Sequence, residues 1–271
     1  MPADIPLQPI YAAAGIAVIA AVAARAAGVL TLPAAATAAV MLVLAALFWG
    51  WTGLGIYASL FLASALLGLI GRKKRAEREE KVLARHGARN IKQVLVNGLP
   101  ALIAMGAGFF SGIGAFHAAA AASLAAGFAD SAASDIGILT DSRTVSIVTF
   151  KEVAKGVSGG VSLLGSAAGI FAAAAGAALP LAFGEYSWQI FLSVTAAAVL
   201  GVALDSVLGG TMQALYRCPV CGAESEKRMC CGEKSVVVRG FRYIDNDAVN
   251  LIANCFALIL GGGAAALITY L

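Results

Sequence analysis

The stretch Gly127-Phe-Ala-Asp130-Ser-Ala-Ala-Ser134-Asp135-Ile-Gly137 ends a run of alanine, glycine and phenylalanine that starts near residue 113. Such a run is apolar enough to cross a bilayer, and a carboxylate at its end is costly unless it is paired, hydrated or bound to a cation. The two acids therefore mark a functional candidate, and the runs on either side decide the fold. Asp130 and Asp135 are five residues apart, about 140° around an ideal helix. Both reach one site only if the helix ends between them, as Ser131 and Ser134 would allow.

Hydrophobic residues form 60% of the 271 and charged ones only 13%, with a mean hydropathy of +0.86. A soluble domain carries roughly a quarter charged residues, so a soluble Ala-rich bundle is excluded. The 31 glycines suit closely packed transmembrane helices. The expected fold is an all-α polytopic membrane protein, a single integral-membrane domain over residues 1–271 with about eight transmembrane helices. The spans read as 10–30, 34–50, 52–71, 94–110, 113–130, 160–183, 188–210 and 247–270. Residues 34–71 are nearly continuous and turn only around Gly50 to Gly55. Met1 to Ile10 carries Asp4 but no Lys or Arg, and so lacks the positive region of a cleavable signal.

Charge distribution sets the expected orientation. The loop at 72–92 holds nine of the 19 basic residues and is cytoplasmic by the positive-inside rule. Arg143, Lys151 and Lys155 then fall in a second cytoplasmic loop. Arg217, Lys227, Arg228, Lys234, Arg239 and Arg242 fall in a third, the small Cys-rich loop at 211–246. Both termini are predicted outside, with the candidate site on the cytoplasmic face.

Polar residues recur at helical spacing on that face. Arg89, Gln93 and Asn97 fall every four residues as span four begins, and Asn246, Asn250 and Asn254 do so in span eight, with Asp247 beside them. Asp205 lies near the end of span seven, where its i+4 neighbour Gly209 would leave room beside the carboxylate, and Gln213 follows. Helix-end solvation for Asp130 and Asp135, a structural hydrogen bond for Asp205, and helix capping for Asp245 and Asp247 are the non-catalytic readings. Lys151, Lys155, Gly156, Ser158, Gly159, Gly160 and Ser162 form a Gly-rich approach to span six. It suits either an anion at a helix N-terminus or a flexible loop, and it is not a P-loop. Gly165 and Gly169 read as a helix-packing notch, and His86 and His117 as solvated or packing histidines.

Carboxylates, amides, lysines and glycines on one surface suit Mg²⁺ and phosphates, since hard oxygen ligands hold the metal and cations neutralise phosphate oxygens. The motifs offer no Ser-His-Asp nucleophile and point to no nucleic-acid partner. Cys218-Pro-Val-Cys221 and Cys230-Cys231-Gly suit a structural zinc or another thiophilic ion in a reducing compartment, with free thiols and redox chemistry as the other readings. Adjacent Cys230 and Cys231 must splay to bind one ion.

These motifs, from Arg89 to the C-terminus, together resemble the membrane family that includes the plant and cyanobacterial phytyl-phosphate kinase of tocopherol synthesis. The resemblance rests on Arg89 through Gly98, Asp130 through Gly137, Gly156 through Gly165, Asp205 through Gln213, Asn246 through Asn250, and the Cys218 to Cys231 segment. Ala132, Asp135, Val157 and Cys230 stand where the family has Trp, Glu, Thr and His.

The resemblance implies transfer of the γ-phosphate of a nucleoside triphosphate, with CTP the first candidate donor and ATP the other, to a prenyl monophosphate in the lipid bilayer, and it leaves open which of phytyl, farnesyl or geranylgeranyl phosphate that is. In that reading Asp130, Asp135 and Asp205 hold Mg²⁺, the glycine run with Lys151 and Lys155 holds nucleotide phosphates, and Arg89 steadies either phosphate. The alternatives are a CTP-dependent cytidylyltransferase or polyprenol kinase, and a small-solute transporter. A transporter needs a polar route through outer halves that are almost wholly apolar. Neither the residues nor the resemblance specifies an oligomeric state.

Overall fold

The computed structural model describes residues 7–70 and 88–270. Most of the basic loop expected at 72–92, with His86, lies outside the described residues, as does Asp4. Seven helices are described: α1 Leu7–Ala26, α2 Leu32–Leu69, α3 Ile91–Ser111, α4 Ala115–Leu139, α5 Leu163–Ala182, α6 Trp188–Thr211 and α7 Asn246–Tyr270. All but α4 are long and apolar enough to cross a membrane, so the span expected at 113–130 falls short of that composition once His117 and Asp130 are counted in its helix. The exception is the helix that carries Asp130 and Asp135. It packs among α3, α5, α6 and α7, and Ala118 to Ala122 are buried almost completely. A helix screened from lipid by its neighbours can carry polar groups that a peripheral one cannot.

The expected pair of spans at 34–71 is a single element, α2, folded at Trp49 and Gly50. Gly50 takes a φ of 58°, where an L side chain is strained. A straight 38-residue helix would be about 57 Å long, nearly twice the hydrocarbon core. Residues 45 and 53 would lie about 12 Å apart along it. Here a Cβ placed on Gly53 would stand 2.1 Å from the Ala45 carbonyl oxygen. The chain therefore doubles back, and α2 contributes two arms.

That fold-back fixes which helix ends share a side. Thr31 N–H donates to Arg89 O (3.0 Å) and Arg89 N–H to Val29 O (2.9 Å), so the α1–α2 turn lies beside the start of α3. From there α2 runs out and back, and the remaining helices alternate in direction. The starts of α3, α5 and α7 and the ends of α4 and α6 all meet at this end, while the N-terminus of α1 and the C-terminus of α7 lie at the other.

Interior polar bonds tie the helices together. Pro100 has no N–H, so Val96 O, four residues earlier, lacks its helical donor. Asn254 Nδ2 takes that place at 3.2 Å and also donates to Asn97 Oδ1 at 3.1 Å. Truncation to Asn254→Leu is expected to cost about 1–2 kcal/mol by leaving both acceptors unsatisfied in an apolar setting. Thermal unfolding in detergent checks it, with a lowered Tm as the expected result. Gly165 and Gly169 bring α5 against the Ala133 and Ala129 carbonyls, the packing notch expected of them. His117 packs as expected too, stacking on Trp49 at 4.6 Å.

Two expectations about helix limits fail. The α4 helix does not end between Asp130 and Asp135 but runs unbroken to Leu139, with the Ser131 hydroxyl donating to Gly127 O (3.0 Å) one turn earlier instead of ending the helix. The α5 helix starts at Leu163 rather than at 160. Gly160–Ser162 forms strand β2, antiparallel to β1 (Thr144–Ser146) with Thr144 opposite Ser162. Ser162 then caps α5 by accepting from Gly165 N–H. The Cys-rich segment is also ordered. Strands β3 (Leu215–Arg217), β4 (Glu224–Ser225) and β7 (Val236–Arg239) form a sheet in the order β4-β3-β7, and β5 (Met229–Cys230) pairs with β6 (Glu233–Lys234).

Candidate phosphate and cation site

Where the loops meet, a cavity of about 1060 Å³ opens between α4, α5, α6 and the two strand modules. Its polar wall includes Gln93, Asp130, Ser134, Asp205, Gln213, Asn246 and Asp247, with the backbone of Gly156 to Ser162. Apolar residues of α5 and α6 also line it, Ile170, Val199, Val202 and Ala203, the last three further from the end of α6 than Asp205. One space thus offers carboxylates from two helices beside a greasy slot.

The sequence-derived residues fall into three groups. Asp130 and Asp205 face the cavity and lie close enough for their charges to interact. With its amide turned so that nitrogen faces the carboxylate, Asn250 donates to Asp205 Oδ2 at 2.9 Å. The structural hydrogen bond read for Asp205 is therefore present, and the residue still lines the cavity. Asp245 accepts from Ala248 N–H (3.0 Å) as a helix cap. Lys92 pairs with Asp245 at 2.8 Å and with Asp247 at 3.0 Å.

A second group sits just behind the wall, apart from Gln93, which borders both spaces. Asp135 is 2% exposed and is absent from the cavity lining, though its charge and that of Arg89 reach Asp130. Arg89 and Asn97 line a smaller gap of about 70 Å³ on another side of α4. Asn97 is engaged with Asn254, and the Gln93 oxygen accepts from Asn90 N–H in a capping box.

The third group is elsewhere. Lys155 Nζ donates to Thr140 O and, at 2.8 Å, to Ser142 O, so it holds the turn after α4. Lys151 is exposed on the hairpin and does not line the cavity. The glycines are not a free loop either. A Cβ on Gly159 would lie 2.3 Å from Gly210 Cα, so the hairpin is pressed onto the end of α6. Arg239 secures that contact by donating to Gly209 O (2.9 Å) and Ser158 O (3.3 Å). The room expected beside Gly209 is thus filled by Ser158 and Gly159.

Sequence reasoning missed Glu226, Lys227, Arg228 and Arg242 in the cavity wall. Glu226 Oε1 accepts from Gln213 Nε2 at 2.7 Å and from the Ser158 hydroxyl. The only sequence signal for them is their position, between the two cysteine pairs or just after them.

Those cysteines do converge. The four thiol sulfurs of Cys218, Cys221, Cys230 and Cys231 lie within 4.8 Å of one another, with Cys221–Cys230 and Cys230–Cys231 both at 3.8 Å. A tetrahedral thiolate site with metal–sulfur bonds of about 2.3 Å has edges of about 3.8 Å. Cys231 takes φ 51° and Gly232 φ 82° in the two-residue turn between β5 and β6. This left-handed backbone splays the adjacent thiols. Hydrogen bonding from Cys221 N–H and then Val220 N–H holds the Cys218 thiol down to about 7, while proton sharing with Cys218 and Cys221 pushes Cys230 up to about 12. Four thiols that share protons in this way are a group that can bind a metal.

The model of the integral membrane family DUF92 matches residues 15–258. The chain belongs to this family. DUF92 is the family that includes phytyl-phosphate kinase, as the motifs suggest. An uncharacterized membrane protein of Methanocaldococcus jannaschii is 32% identical over 169 residues, which cover 61% of this chain and 67% of that protein. No solved structure matches.

Proposed function

We propose that this DUF92 protein transfers the γ-phosphate of a nucleoside triphosphate, CTP in preference to ATP, to a membrane-embedded prenyl monophosphate. The observation that carries the reading is the single cavity in which Asp130 and Asp205, the cations Lys227, Arg228 and Arg242, and the apolar wall of Ile170, Val199 and Val202 meet. Its volume of about 1060 Å³ lies just above the roughly 300–1,000 Å³ of single small-molecule sites, which suits two substrates. An amphiphile with a phosphate head and a hydrocarbon tail matches a lining that combines polar residues near the helix ends with apolar ones further along α5 and α6. The basic residues of the loops support a cytoplasmic face for the cavity by the positive-inside rule.

The hard carboxylate oxygens of Asp130 and Asp205 fit Mg²⁺, and Asp135 acts from behind rather than as a ligand. When bound, Mg²⁺ neutralises charge on the phosphate oxygens. Lys227, Arg228 and Arg242 hold the polyphosphate, while Asn250 holds the Asp205 carboxylate toward the cavity. The apolar wall orients the lipid and excludes water. The acceptor phosphate oxygen is already anionic, so alignment replaces a strong base. A structural zinc on the four cysteines completes the proposed ligand set.

Purified protein incubated with Mg²⁺, labelled CTP or ATP and a panel of prenyl monophosphates is expected to form labelled prenyl diphosphate. Formation of a cytidylylated lipid, or of phosphate ester from free polyprenol alone, would replace this reaction with another at the same site.

A further inference from the structure

The segment between the two cysteine pairs has a shape that depends on both of them. Cys218 and Cys221 sit on the turn between β3 and β4, and Cys230 and Cys231 at the turn between β5 and β6. The residues linking these turns reach the cavity: Glu226 is bonded there to Ser158 and Gln213, and Lys227 and Arg228 line the wall. Arg228 also donates to Arg242 O at 3.2 Å. Lys155 is meanwhile committed to the turn after α4 and Lys151 is outside. The lysine and arginines that line the cavity, Lys227, Arg228 and Arg242, therefore all come from the cysteine-rich segment, while Arg89 acts on Asp130 from behind the wall.

We propose that residues 226–228 are a metal-set arm of the site: one thiophilic cation on Cys218, Cys221, Cys230 and Cys231 fixes the arm so that Lys227 and Arg228 bind the phosphates of a nucleoside polyphosphate. This rests on the phosphotransfer reading for the ligand, but the dependence of the arm on the cysteines follows from the chain itself. Two turns that share one ion cannot separate. Without it, the short strands β5 and β6 have only two residues each to hold Cys230 in place. The cysteines thus act on nucleotide binding without touching the nucleotide.

The test uses the full chain in detergent. Elemental analysis gives its metal content, and equilibrium dialysis with labelled CTP and ATP gives a Kd at two salt concentrations. A Lys227→Ala/Arg228→Ala variant is expected to keep the metal of the wild type while its Kd rises at least about tenfold, with a shallower salt dependence. Chelation of the wild type is expected to raise the Kd comparably, and Zn²⁺ to restore it, so the result does not require a foldable Cys218→Ser variant. An unchanged Kd in the double variant, or after the metal is removed, overturns the arm and leaves the phosphotransfer reading standing. If metal-loaded wild type binds neither nucleotide, both fall together.

Discussion

Asp130→Asn is expected to lower nucleotide-dependent diphosphate formation by about 10²–10³-fold while leaving the helices intact. The substitution keeps the size and shape of the side chain and removes its charge, so it separates a carboxylate needed for cation binding from one that only fills space. Asp205→Asn is expected to fall in the same range, since both acids face one cavity from different helices. Asp135→Asn should lose less, because the residue lies behind the wall and reaches the site only through its charge on Asp130. Rates measured against Mg²⁺ concentration check the order, with a raised Mg²⁺ requirement expected for the first two. Near-full activity in both would move the metal site elsewhere. The helix-end solvation reading predicts that outcome, since a solvated acid can become an amide at little cost.

The membrane class was legible because it depends on a one-dimensional quantity, apolar length, and the gathering of polar helix ends in one place followed from the number of spans between them. The turn at Gly50 was legible for the same reason, as no single helix of that length fits a bilayer. The continuity of α4 was not. Ser131 could end a helix or return its hydroxyl to Gly127 O, and only packing against α5 and α7 selects the second. The site was half legible. Asp130, Asp205 and the Asn stripe stand out because polar residues are costly in apolar runs. Glu226, Lys227 and Arg228 stand in a loop where charges are ordinary, so nothing local marks them. Lys155 misled for the opposite reason: a lysine beside glycines suggests phosphate, yet carbonyls exposed after a helix end attract the same ammonium group.

The glycines test whether the hairpin is a loop or a built wall. Gly159 and Gly156 both have positive φ, 82° and 81°, so alanine at either one carries the left-handed penalty of about 1–2 kcal/mol. They differ in what a Cβ would meet. At Gly156 it finds Ile138 Cδ1 at 3.4 Å, a movable side-chain end, whereas at Gly159 it finds backbone of Gly210 at 2.3 and 2.5 Å. That second clash has no side chain to yield, so the hairpin must lift from α6. Lifting it breaks the Arg239 bonds to Ser158 and Gly209 and moves the Ser158 hydroxyl from Glu226. Gly159→Ala is therefore expected to cost about 3–5 kcal/mol and to lower the Tm by roughly 6–15 °C, against roughly 2–6 °C for Gly156→Ala. It should also weaken nucleotide binding, because the lifted hairpin withdraws a partner from the arm. Equal Tm losses in the two variants would mean that backbone strain alone sets the cost. The contact with α6 would then not be what holds the wall in place.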